Sequence, residues 1–550
     1  MPTIPFVAYF SMEIGVDPLM PTYAGGLGVL AGDTVRAAAD LGLPFVGVTL
    51  VHRAGYLRQH LDATGGQSED PAVWSPESTL EPLDARVRIA LFGRQIAIRA
   101  WRKLVVGHRG HVVPVYFLDT ALDENAPDDR RLTDSLYGGD GRYRLAQEAV
   151  LGLGGVGLLA ALGHEPDVFH MNEGHAALLT LALLDRYPSA EAVRQRCVFT
   201  THTTLAAGHD RFTVALGQDV LGEERTRAFL AQTAGDGLSL THLALACSRY
   251  VNGVALTHAT VARELLGEQR VDAITNGVHP ATWAAAPLAA VFDRRCEGWR
   301  DDGAALRYAT LVPLDEISAA HQVAKGALVA EVERRTGLRL DDAVLTIGFA
   351  RRATAYKRAD LVFRDLERLR DVARASGPLQ FVFAGKAHPR DLEGKEAIRR
   401  VFHAASLLQK TIKVVYLDEY DMTLAKILCA GADVWLNNPL KPLEASGTSG
   451  MKAALNGVPS LSVLDGWWAE GHVEGVTGWA IGGPPSTPSD DRVEAASTYE
   501  KLEHHIAPLY YGRAMDLAAV RRNAIALNGS FFNTHRMVRE YLAKAYAPAR

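Results

Sequence analysis

The chain has 550 residues, of which 48% are hydrophobic and 22% are charged, and its formal net charge is −5. These values describe a globular protein of about two to four domains and exclude the basic footprint of a nucleic-acid-binding or membrane-surface protein. Its four cysteines lie far apart without metal-like spacing, so we expect buried free thiols and no metal site. The N-terminal sequence MPTIPFVAYF lacks the pattern of a signal peptide, which predicts a cytoplasmic protein.

Short apolar runs alternate with longer helical patterns along the whole chain, and the runs have the length and composition of buried strands. These predicted strands include Pro5–Phe10, Phe45–Val51, Val113–Leu118, Asp167–His170, Val198–Thr201, Val344–Phe349, Gln380–Ala384, Val414–Leu417, Val434–Asn437 and Ser460–Leu464. Near-continuous apolar strands between helices favour parallel sheets covered on both faces, and therefore an α/β fold. The segment Ala85–Trp101 is an exception, because its pattern predicts a β-hairpin around Gly93.

A domain boundary is predicted near Gly277–Pro287, where Gly, Pro and Trp interrupt the alternation. A charge-rich helix follows over Asp315–Arg339, and a new strand–loop–helix unit begins at Val344. We therefore predict two doubly wound domains, residues 1–285 and 286–530, and a final helix within residues 531–550 that crosses back to the N-terminal domain. In such domains ligands bind at the carboxyl ends of the strands.

The segment Tyr23–Gly42, YAGGLGVLAGDTVRAAADLG, leads from a cluster of glycines into an amphipathic helix. Gly25, Gly26 and Gly28 would let backbone N–H groups approach an anion at the helix N-terminus, where the helix dipole favours negative charge. The alternative is a tight turn with no ligand, since a single GGLG motif has low specificity.

The segment GFARRATAYKRAD places four cations directly after a predicted buried strand. They are Arg351, Arg352, Lys357 and Arg358. Arginine offers a bidentate fork for phosphate and lysine a point charge, so this position favours an anion site. The alternative is a solvated basic loop.

The segment from Pro442 to Gly471 begins PLEASGTSGMKAALNG and combines a loop of small residues with the start of a helix. Glu444 precedes the loop, and Lys452 lies in an otherwise apolar first part of the helix. This lysine could extend its amine to solvent along the protein surface. It could also be a desolvated amine suited to forming an imine.

Two histidine segments follow predicted buried strands. His175 lies in HMNEGHAALL, and His202 lies in FTTHTTLAAGHDRF. A lone histidine is usually structural, but the position of His202 among threonines at a strand end favours a place in a cleft. The segment AITNGVHPATW has an Asn-Gly turn at the predicted domain junction and could present Asn276 to a sugar.

The order of these segments resembles that of the α-glucan phosphorylase family, which includes the glycogen, starch and maltodextrin phosphorylases. The motifs are GGLG, NEGH, THTT, VNGVALTH, ITNGVHPATW, YKR, EASGTSGMKAALNG and FNTHRMVREYL. The resemblance implies the GT-B fold, in which two Rossmann-like domains face each other across a cleft. It also implies a homodimer that uses inorganic phosphate to cleave α-1,4-glucan or maltooligosaccharide reversibly, releasing α-glucose 1-phosphate with retention of configuration.

The same resemblance implies roles for individual residues. Pyridoxal 5′-phosphate would form an imine with Lys452, and the other cofactor-binding positions are Thr448, Gly450, Tyr420 and Gly28. The catalytic positions are Arg352, Lys357, His202 and Glu444. The substrate-binding positions are Gly25, Gly26, Leu27, Asn276, His175, Ser446 and Gly447.

Several positions depart from the long-form family, which has lysine, histidine, glutamate, arginine and asparagine there. The residues of this chain at those positions are Arg351, Thr354, Ala355, Asp421 and Gly450. These departures are typical of the compact prokaryotic branch and leave the contacts of the cofactor phosphate open.

Two other functions are compatible with these patterns. A nucleotide-sugar glucan synthase shares the GT-B fold and the GGLG motif but does not need an imine at Lys452. A non-catalytic glucan-binding homologue would keep the fold without the chemistry. The joint presence of Arg352, Lys357, Glu444 and Lys452 argues against the second alternative.

Overall fold

The computed structural model describes residues 4–205, 208–233 and 235–547 of the chain. The chain divides into two compact α/β units. Unit 1 comprises the chain up to Leu57, the segment Pro71–Ile274 and the chain from Met537, and unit 2 comprises Arg58–Asp70 and Thr275–Arg536. The division falls ahead of the predicted boundary at residue 285.

The strands of the described residues carry most of the predicted apolar runs. In chain order they are β1 (Val7–Ser11), β2 (Phe45–Leu50), β3 (Arg58–Leu61), β4 (Gln67–Asp70), β5 (Glu81–Leu91), β6 (Arg94–Val106), β7 (Val112–Asp119), β8 (Val168–Asn172), β9 (Cys197–Thr200), β10 (Arg211–Phe212), β11 (Leu238–Ser239), β12 (Tyr250–Gly253), β13 (Val271–Ala273), β14 (Leu345–Ala350), β15 (Leu379–Ala384), β16 (Lys413–Leu417), β17 (Val434–Asn437), β18 (Ser460–Val463) and β19 (Gly478–Ile481).

Helices connect these strands. In chain order they are α1 (Gly26–Asp40), α2 (Pro127–Arg130), α3 (Gly141–Ala149), α4 (Gly155–Ala161), α5 (Leu179–Leu184), α6 (Ala190–Arg194), α7 (Val214–Leu221), α8 (Glu223–Gln232), α9 (Leu240–Ala246), α10 (Leu256–Leu266), α11 (Pro280–Trp283), α12 (Ala286–Arg295), α13 (Leu314–Thr336), α14 (Leu366–Ser376), α15 (Leu392–Leu408), α16 (Met422–Gly431), α17 (Thr448–Leu455), α18 (Trp468–Gly471), α19 (Asp491–Lys501), α20 (Ala507–Gly512), α21 (Ala514–Asn523) and α22 (Thr534–Tyr541). None of the described helices is both long and apolar enough to cross a membrane.

Unit 1 is built on a mixed sheet with the strand order β13-β12-β9-β8-β1-β2-β7-β6-β5. The strands from β13 to β7 run parallel, whereas β6 and β5 add an antiparallel edge. The tight turn between β5 and β6 contains Gly93 with a φ of 70°, which confirms the predicted hairpin. Strands β1 and β2 are buried along their whole length, as their unbroken apolar sequences predict.

Unit 2 contains an all-parallel sheet with the strand order β16-β15-β14-β17-β18-β19. This is the order of a Rossmann fold, in which the chain winds outward from a central strand first in one direction and then in the other. The winding reverses between β14 and β17. The loops that follow these two strands are therefore where a ligand of unit 2 is expected, and the prediction of two Rossmann-like units is confirmed.

The β3–β4 hairpin belongs to unit 2, although it lies within the predicted N-terminal domain. The side-chain amide of Gln59 donates to the carbonyl oxygen of Gly385 at 2.9 Å, and that of Gln67 donates to the carbonyl oxygen of Ala387 at 2.9 Å. These bonds cross more than three hundred residues of sequence. They assign the hairpin to unit 2 and correct the predicted extent of the N-terminal domain.

The end of the chain returns to unit 1 through α22, and this helix confirms the predicted C-terminal helix. The Tyr541 hydroxyl lies 3.0 Å from Oγ1 of Thr200, and the Tyr546 hydroxyl lies 2.7 Å from Nδ1 of His170. Both tyrosines are buried among the strands of the unit 1 sheet. The four cysteines are buried and free, as expected.

Candidate active site

Two cations from the loop after β14 converge on one carboxylate in unit 2. Arg351 and Lys357 are buried, and both donate hydrogen bonds to Oε2 of Glu444, with the Nζ of Lys357 at 2.6 Å. Burial by itself would raise the pKa of Glu444, but the charges of Arg351 and Lys357 outweigh it and lower the pKa to about 2. Glu444 is therefore ionised at neutral pH, and the group keeps an excess of positive charge.

The other two cations of this loop have different surroundings. Arg358 is buried and donates to the carbonyl oxygens of Asn438 and Pro439, each at 2.8 Å, so it ties this loop to the segment after β17. Arg352 is exposed at the surface of unit 2. The structure thus brings Arg351, one of the four cations predicted to form an anion site but not one of the catalytic positions that the resemblance implied, to the buried carboxylate.

A depression lies at the carboxyl ends of β14, β17 and β18. It is lined by Arg351, Asn437, Pro439, Glu444, Ser446, Gly447, Ser462, Asp465 and Trp467. Nη1 of Arg351 and Oγ of Ser446 are buried and have no hydrogen-bond partner among the described residues. Helix α17 begins at Thr448 beside them, with Gly447 in a left-handed conformation (φ 87°) and no side-chain cap. Buried donors without acceptors at the positive end of a helix favour a bound anion.

Asp465 organises the same depression. Its Oδ2 accepts a hydrogen bond from the backbone N–H of Glu444 at 2.9 Å, and its Oδ1 accepts one from the N–H of Gly466 at 2.9 Å. Burial raises the pKa of Asp465 to about 6, and the charge of Glu444 adds to the effect. The sequence analysis missed this residue, although an acid directly after the predicted strand Ser460–Leu464 is the signal that could have identified it.

Lys452 lies in the second half of α17 and is only 6% exposed. Its Nζ is 3.8 Å from the centroid of the Trp283 ring, and its charge acts on the buried thiol of Cys429. Burial raises the pKa of that thiol to about 12, and the positive charge of Lys452 partly offsets the rise. Of the two alternatives for this lysine, the structure therefore favours the desolvated amine over a side chain that extends to solvent.

The remaining predicted cofactor positions of unit 2 lie on or near helix starts. Thr448 and Gly450 form the first turn of α17. Tyr420 is half-buried just before α16, and Asp421 is the N-cap of that helix, accepting a hydrogen bond from the Leu424 N–H at 2.8 Å. The aspartate that replaces the arginine of the family pattern thus serves as a helix cap.

Asn276 is buried at the start of unit 2. Its backbone carbonyl accepts a hydrogen bond from Nη2 of Arg536 at 3.0 Å. Its side-chain Oδ1 has no partner among the described residues. The side chain therefore keeps an unused acceptor, as a sugar-binding residue would require.

In unit 1 the loops after β8 and β9 bring His202 to Glu173. The backbone N–H of His202 donates to Oε2 of Glu173 at 2.6 Å, and the ring Nε2 lies 2.6 Å from Oδ1 of Asn172. Burial lowers the pKa of His202 to about 4, so the ring is a neutral hydrogen-bonding group at pH 7. Glu173 was missed, although it belongs to the NEGH motif, directly after β8 and three residues after the predicted strand Asp167–His170.

His175 is buried beside a second group of charged residues in unit 1. Nη2 of Arg144 lies 2.8 Å from Oδ2 of Asp210 and 3.2 Å from Nε2 of His175. Glu148 is fully buried, with Oε1 3.8 Å from Nε of Arg144. Burial, aided by the charge of Asp210, raises the pKa of Glu148 well above its ordinary value. Glu148 is therefore the neutral member of this group.

We expect Glu148→Gln to stabilise unit 1 relative to the natural residue more and more as the pH rises. Above pH 4.5, the ordinary pKa of a glutamate, the folded protein keeps the proton of Glu148 whereas the unfolded chain loses it. The stability that this carboxyl group contributes is therefore complete below pH 4.5 and declines as the pH rises. Glutamine does not titrate. The difference in the free energy of unfolding should shift by about 1.4 kcal/mol per pH unit between pH 5 and 7 in favour of the variant.

Thermal unfolding of the variant and the natural protein between pH 5 and 8 measures this shift. Glu165→Gln is the matched control, because Glu165 is an exposed carboxylate of the same unit and should show no such trend. Equal pH dependence in Glu148→Gln and the natural protein would contradict the assignment of a neutral Glu148.

The glycine-rich segment of unit 1 forms the start of α1, as predicted. Oε2 of Glu13 accepts hydrogen bonds from two backbone N–H groups just before this helix, at 2.6 and 3.3 Å. Gly28 packs so closely that a Cβ there would lie 2.6 Å from Oε2 of Glu13, whereas a Cβ at Gly25 or Gly26 would meet no heavy atom within 4 Å. Leu27 is half-buried between them. Gly28 is thus a packing residue, and Gly25 and Gly26 leave an open surface.

The amino-acid sequence is similar to known proteins over nearly its whole length. Residues 202–473 match the carbohydrate phosphorylase family model, and residues 8–275 match the starch synthase catalytic domain model. Maltodextrin phosphorylase from Thermococcus litoralis is 38% identical over 99% of this chain and 70% of its own length. Glycogen phosphorylases from Mycobacterium tuberculosis and Aquifex aeolicus are 37% and 33% identical, over 99% and 98% of this chain and 71% and 86% of their own lengths.

Two Rossmann-like units, one of them with a depression lined by charged and polar side chains at its strand ends, define a glycosyltransferase of the GT-B class. The chain belongs to the carbohydrate phosphorylase family, as its identity to relatives over most of their length shows. The family predicted from the order of the motifs is therefore confirmed.

Proposed function

We propose that this protein is a pyridoxal-phosphate-dependent α-glucan phosphorylase, with the cofactor attached to Lys452. The observation that carries the proposal is the structure of α17: a buried amine on the helix, and at its start a depression with cations and unpaired donors. The names of the relatives support the same activity. The residues present fit the cofactor, because a desolvated primary amine suits attachment to an aldehyde and the unpaired donors suit a phosphate.

The residues of unit 2 would bind and order phosphate groups. Arg351 and Lys357 bring two positive charges to the depression, of which Glu444 neutralises one, and Asp465, whose pKa is about 6, adds negative charge only as it ionises. The backbone N–H groups at the start of α17 add donors without net charge. Two phosphate groups held close together repel each other, so the two fixed cations lower the cost of binding both.

When bound, the cofactor supplies a phosphate group whose second pKa of about 6 lets it exchange a proton with the substrate phosphate at neutral pH. The chain's own residues hold the phosphates in position. Lys357 is buried, and both its hydrogen bond to Glu444 and the ring of Tyr356, 4.4 Å from its Nζ, fix its amine. This arrangement keeps the cation in place without solvent reorganisation during the reaction.

Unit 1 would supply the groups that contact the glucan. His202 is neutral at pH 7, and its Nε2–H donates to Oδ1 of Asn172, so its other ring nitrogen, Nδ1, would accept a hydrogen bond from a sugar hydroxyl. Glu173 orients it through its backbone N–H. The glucosyl group develops oxocarbenium character in glycoside cleavage, and nearby neutral and negative groups tolerate that charge. A homodimer and the exposed Arg352 as a phosphate ligand remain predictions.

The test is a phosphorolysis assay on the purified full chain. Maltooligosaccharide and inorganic phosphate should yield glucose 1-phosphate, and the rate should depend on pyridoxal 5′-phosphate. Nucleotide-glucose with maltooligosaccharide is the parallel assay. Glucan binding without phosphate-dependent release of glucose 1-phosphate would contradict the proposal and favour a non-catalytic binding protein.

A second candidate function is glucosyl transfer from a nucleotide sugar. The match of residues 8–275 to the starch synthase catalytic domain favours it. Turnover of nucleotide-glucose by protein that binds no pyridoxal phosphate would establish this alternative.

A further inference from the structure

Trp467 is a large side chain of the depression that the proposed function leaves without a role. Its indole lies over the first turn of α17: a Cβ on Gly450 would be 2.8 Å from Cζ2 and 3.0 Å from Nε1. A Cβ on Gly447 would be 3.5 Å from Cδ1. The family pattern has asparagine at the position of Gly450, and here a side chain at that position would collide with the indole.

The indole is held in this orientation from several sides. Its ring packs edge-on against Phe532, with the centroids 4.9 Å apart, and lies 5.2 Å from the ring of Trp468. Its backbone N–H donates to the carbonyl oxygen of Ser446 at 2.9 Å, and the residue is 2% exposed. Trp467 is therefore a rigid part of the depression and needs no reordering when a ligand binds.

The indole N–H has no acceptor among the described residues. It shares this property with Nη1 of Arg351 and Oγ of Ser446, which line the same depression. Of the two carboxylates that line the depression, that of Glu444 is already bound by Arg351 and Lys357, and that of Asp465 accepts hydrogen bonds from the backbone N–H groups of Glu444 and Gly466. Buried donors in proteins are nearly always paired, so the two buried groups, Nη1 of Arg351 and Oγ of Ser446, indicate a missing acceptor, and the indole N–H of Trp467 is a third donor in the same depression.

We propose that Trp467 is an anion-binding residue whose indole N–H donates a hydrogen bond to an oxygen of a phosphate group in this depression, together with Arg351, Ser446 and the start of α17. This inference rests on the proposed function, in which both the cofactor and the substrate carry phosphate. Gly450 and Trp467 depend on each other. Because Gly450 has no side chain, the indole ring can lie over the first turn of α17, and the ring in turn adds a donor to the depression.

The test is Trp467→Phe, which keeps an aromatic ring and removes the N–H group. Titration of the cofactor-free full chain with pyridoxal phosphate and with pyridoxal measures how much the phosphate group of the cofactor contributes to its affinity. Calorimetric titration with inorganic phosphate, together with the KM for phosphate, measures the affinity for the substrate phosphate. One of the two phosphate affinities should fall about 10-fold, because a hydrogen bond to a charged acceptor is lost. Pyridoxal affinity should stay unchanged.

Trp468→Phe is the matched control, because the indole N–H of Trp468 likewise has no acceptor among the described residues, but Trp468 does not line the depression. It should leave both phosphate affinities within about twofold. If both phosphate affinities of Trp467→Phe stay within about twofold of those of the natural protein, the inference is overturned. Failure of the natural protein to bind pyridoxal phosphate would instead contradict the proposed function, and the inorganic phosphate titration would still decide the role of Trp467.

Gly450→Ala tests the position of the ring independently. The added methyl group meets the indole at 2.8 Å, so the variant should unfold at a lower temperature than the natural protein. In the double variant with Trp467→Phe the loss should be smaller, since the part of the ring that causes the collision is gone. Equal losses in the two backgrounds would show that the indole does not lie over α17.

Discussion

Lys452→Ala should abolish cofactor binding and reduce phosphorolysis by at least about 100- to 10,000-fold, the range for loss of a general acid–base group. The side chain is the buried amine of α17, and its removal eliminates the proposed attachment point while leaving the helix intact, because alanine favours helix. The measurements are the imine absorbance of bound pyridoxal phosphate and the rate of glucose 1-phosphate release.

Two further variants test whether the effect of Lys452→Ala comes from loss of the primary amine, from loss of a positive charge, or from non-specific attachment of the cofactor to lysines. Lys452→Arg keeps a positive charge near the Trp283 ring but lacks a primary amine, so it should also lose the cofactor. Lys410→Ala removes an exposed lysine of the same unit and should change neither absorbance nor rate. Normal cofactor absorbance in Lys452→Ala would contradict the proposed function.

Asp433→Asn should lower the stability of unit 2 by about 3–5 kcal/mol, or the melting temperature by roughly 10 °C. Asp433 is fully buried, and its Oδ2 accepts hydrogen bonds from Nζ of Lys325 at 2.5 Å and from the N–H of Thr346 at 2.9 Å. Its Oδ1 accepts one from Nη2 of Arg521 at 2.8 Å and lies 2.9 Å from Nε2 of His321. Asparagine keeps the shape but leaves two buried cations without a counter-charge.

The pH dependence of this effect has a definite sign. Burial alone would raise the pKa of Asp433, but the hydrogen bond from His321 and the charges of Lys325 and Arg521 outweigh it and hold the pKa well below the ordinary 3.8. The carboxylate therefore contributes stability above that value and loses it as the pH falls further. The gap between variant and natural protein should be full at pH 7 and shrink in strong acid.

Calorimetry of the two proteins measures this loss. Asp371→Asn is the control, because the Asp371–Arg374 pair lies exposed on α14 and should contribute less than about 1 kcal/mol. A melting temperature of Asp433→Asn close to that of Asp371→Asn would show that the buried network does not stabilise unit 2.

The order of strands and helices could be predicted from the sequence because the apolar residues that each element buries are close together along the chain. The apolar runs that become β1, β2, β14 and β15 are fully buried strands, as predicted. The β3–β4 hairpin could not be placed, since its partners Gly385 and Ala387 are more than three hundred residues away.

The candidate site was predictable in type but not in detail. The motif order indicated Lys452, Glu444 and Lys357, and the structure makes all three buried. Which arginine meets Glu444 depends on how the chain leaves β14, and the structure turns Arg351 inward and Arg352 to the surface. The carboxylates of Asp465 and Glu173 gained significance only from the structure, which places each of them beside a residue from another loop of its own unit.

By itself the sequence determined the family and the α/β class, because these follow from local patterns and from motif order, and the same motifs indicated the amine that we propose as the cofactor's attachment point. Only the tertiary structure decided which donors are left without partners, which carboxylates are neutral and why residue 450 is glycine. Those properties depend on burial and on the distance between groups far apart along the chain. The indole of Trp467 over Gly450 is the clearest case, since sequence separation carries no information about that contact.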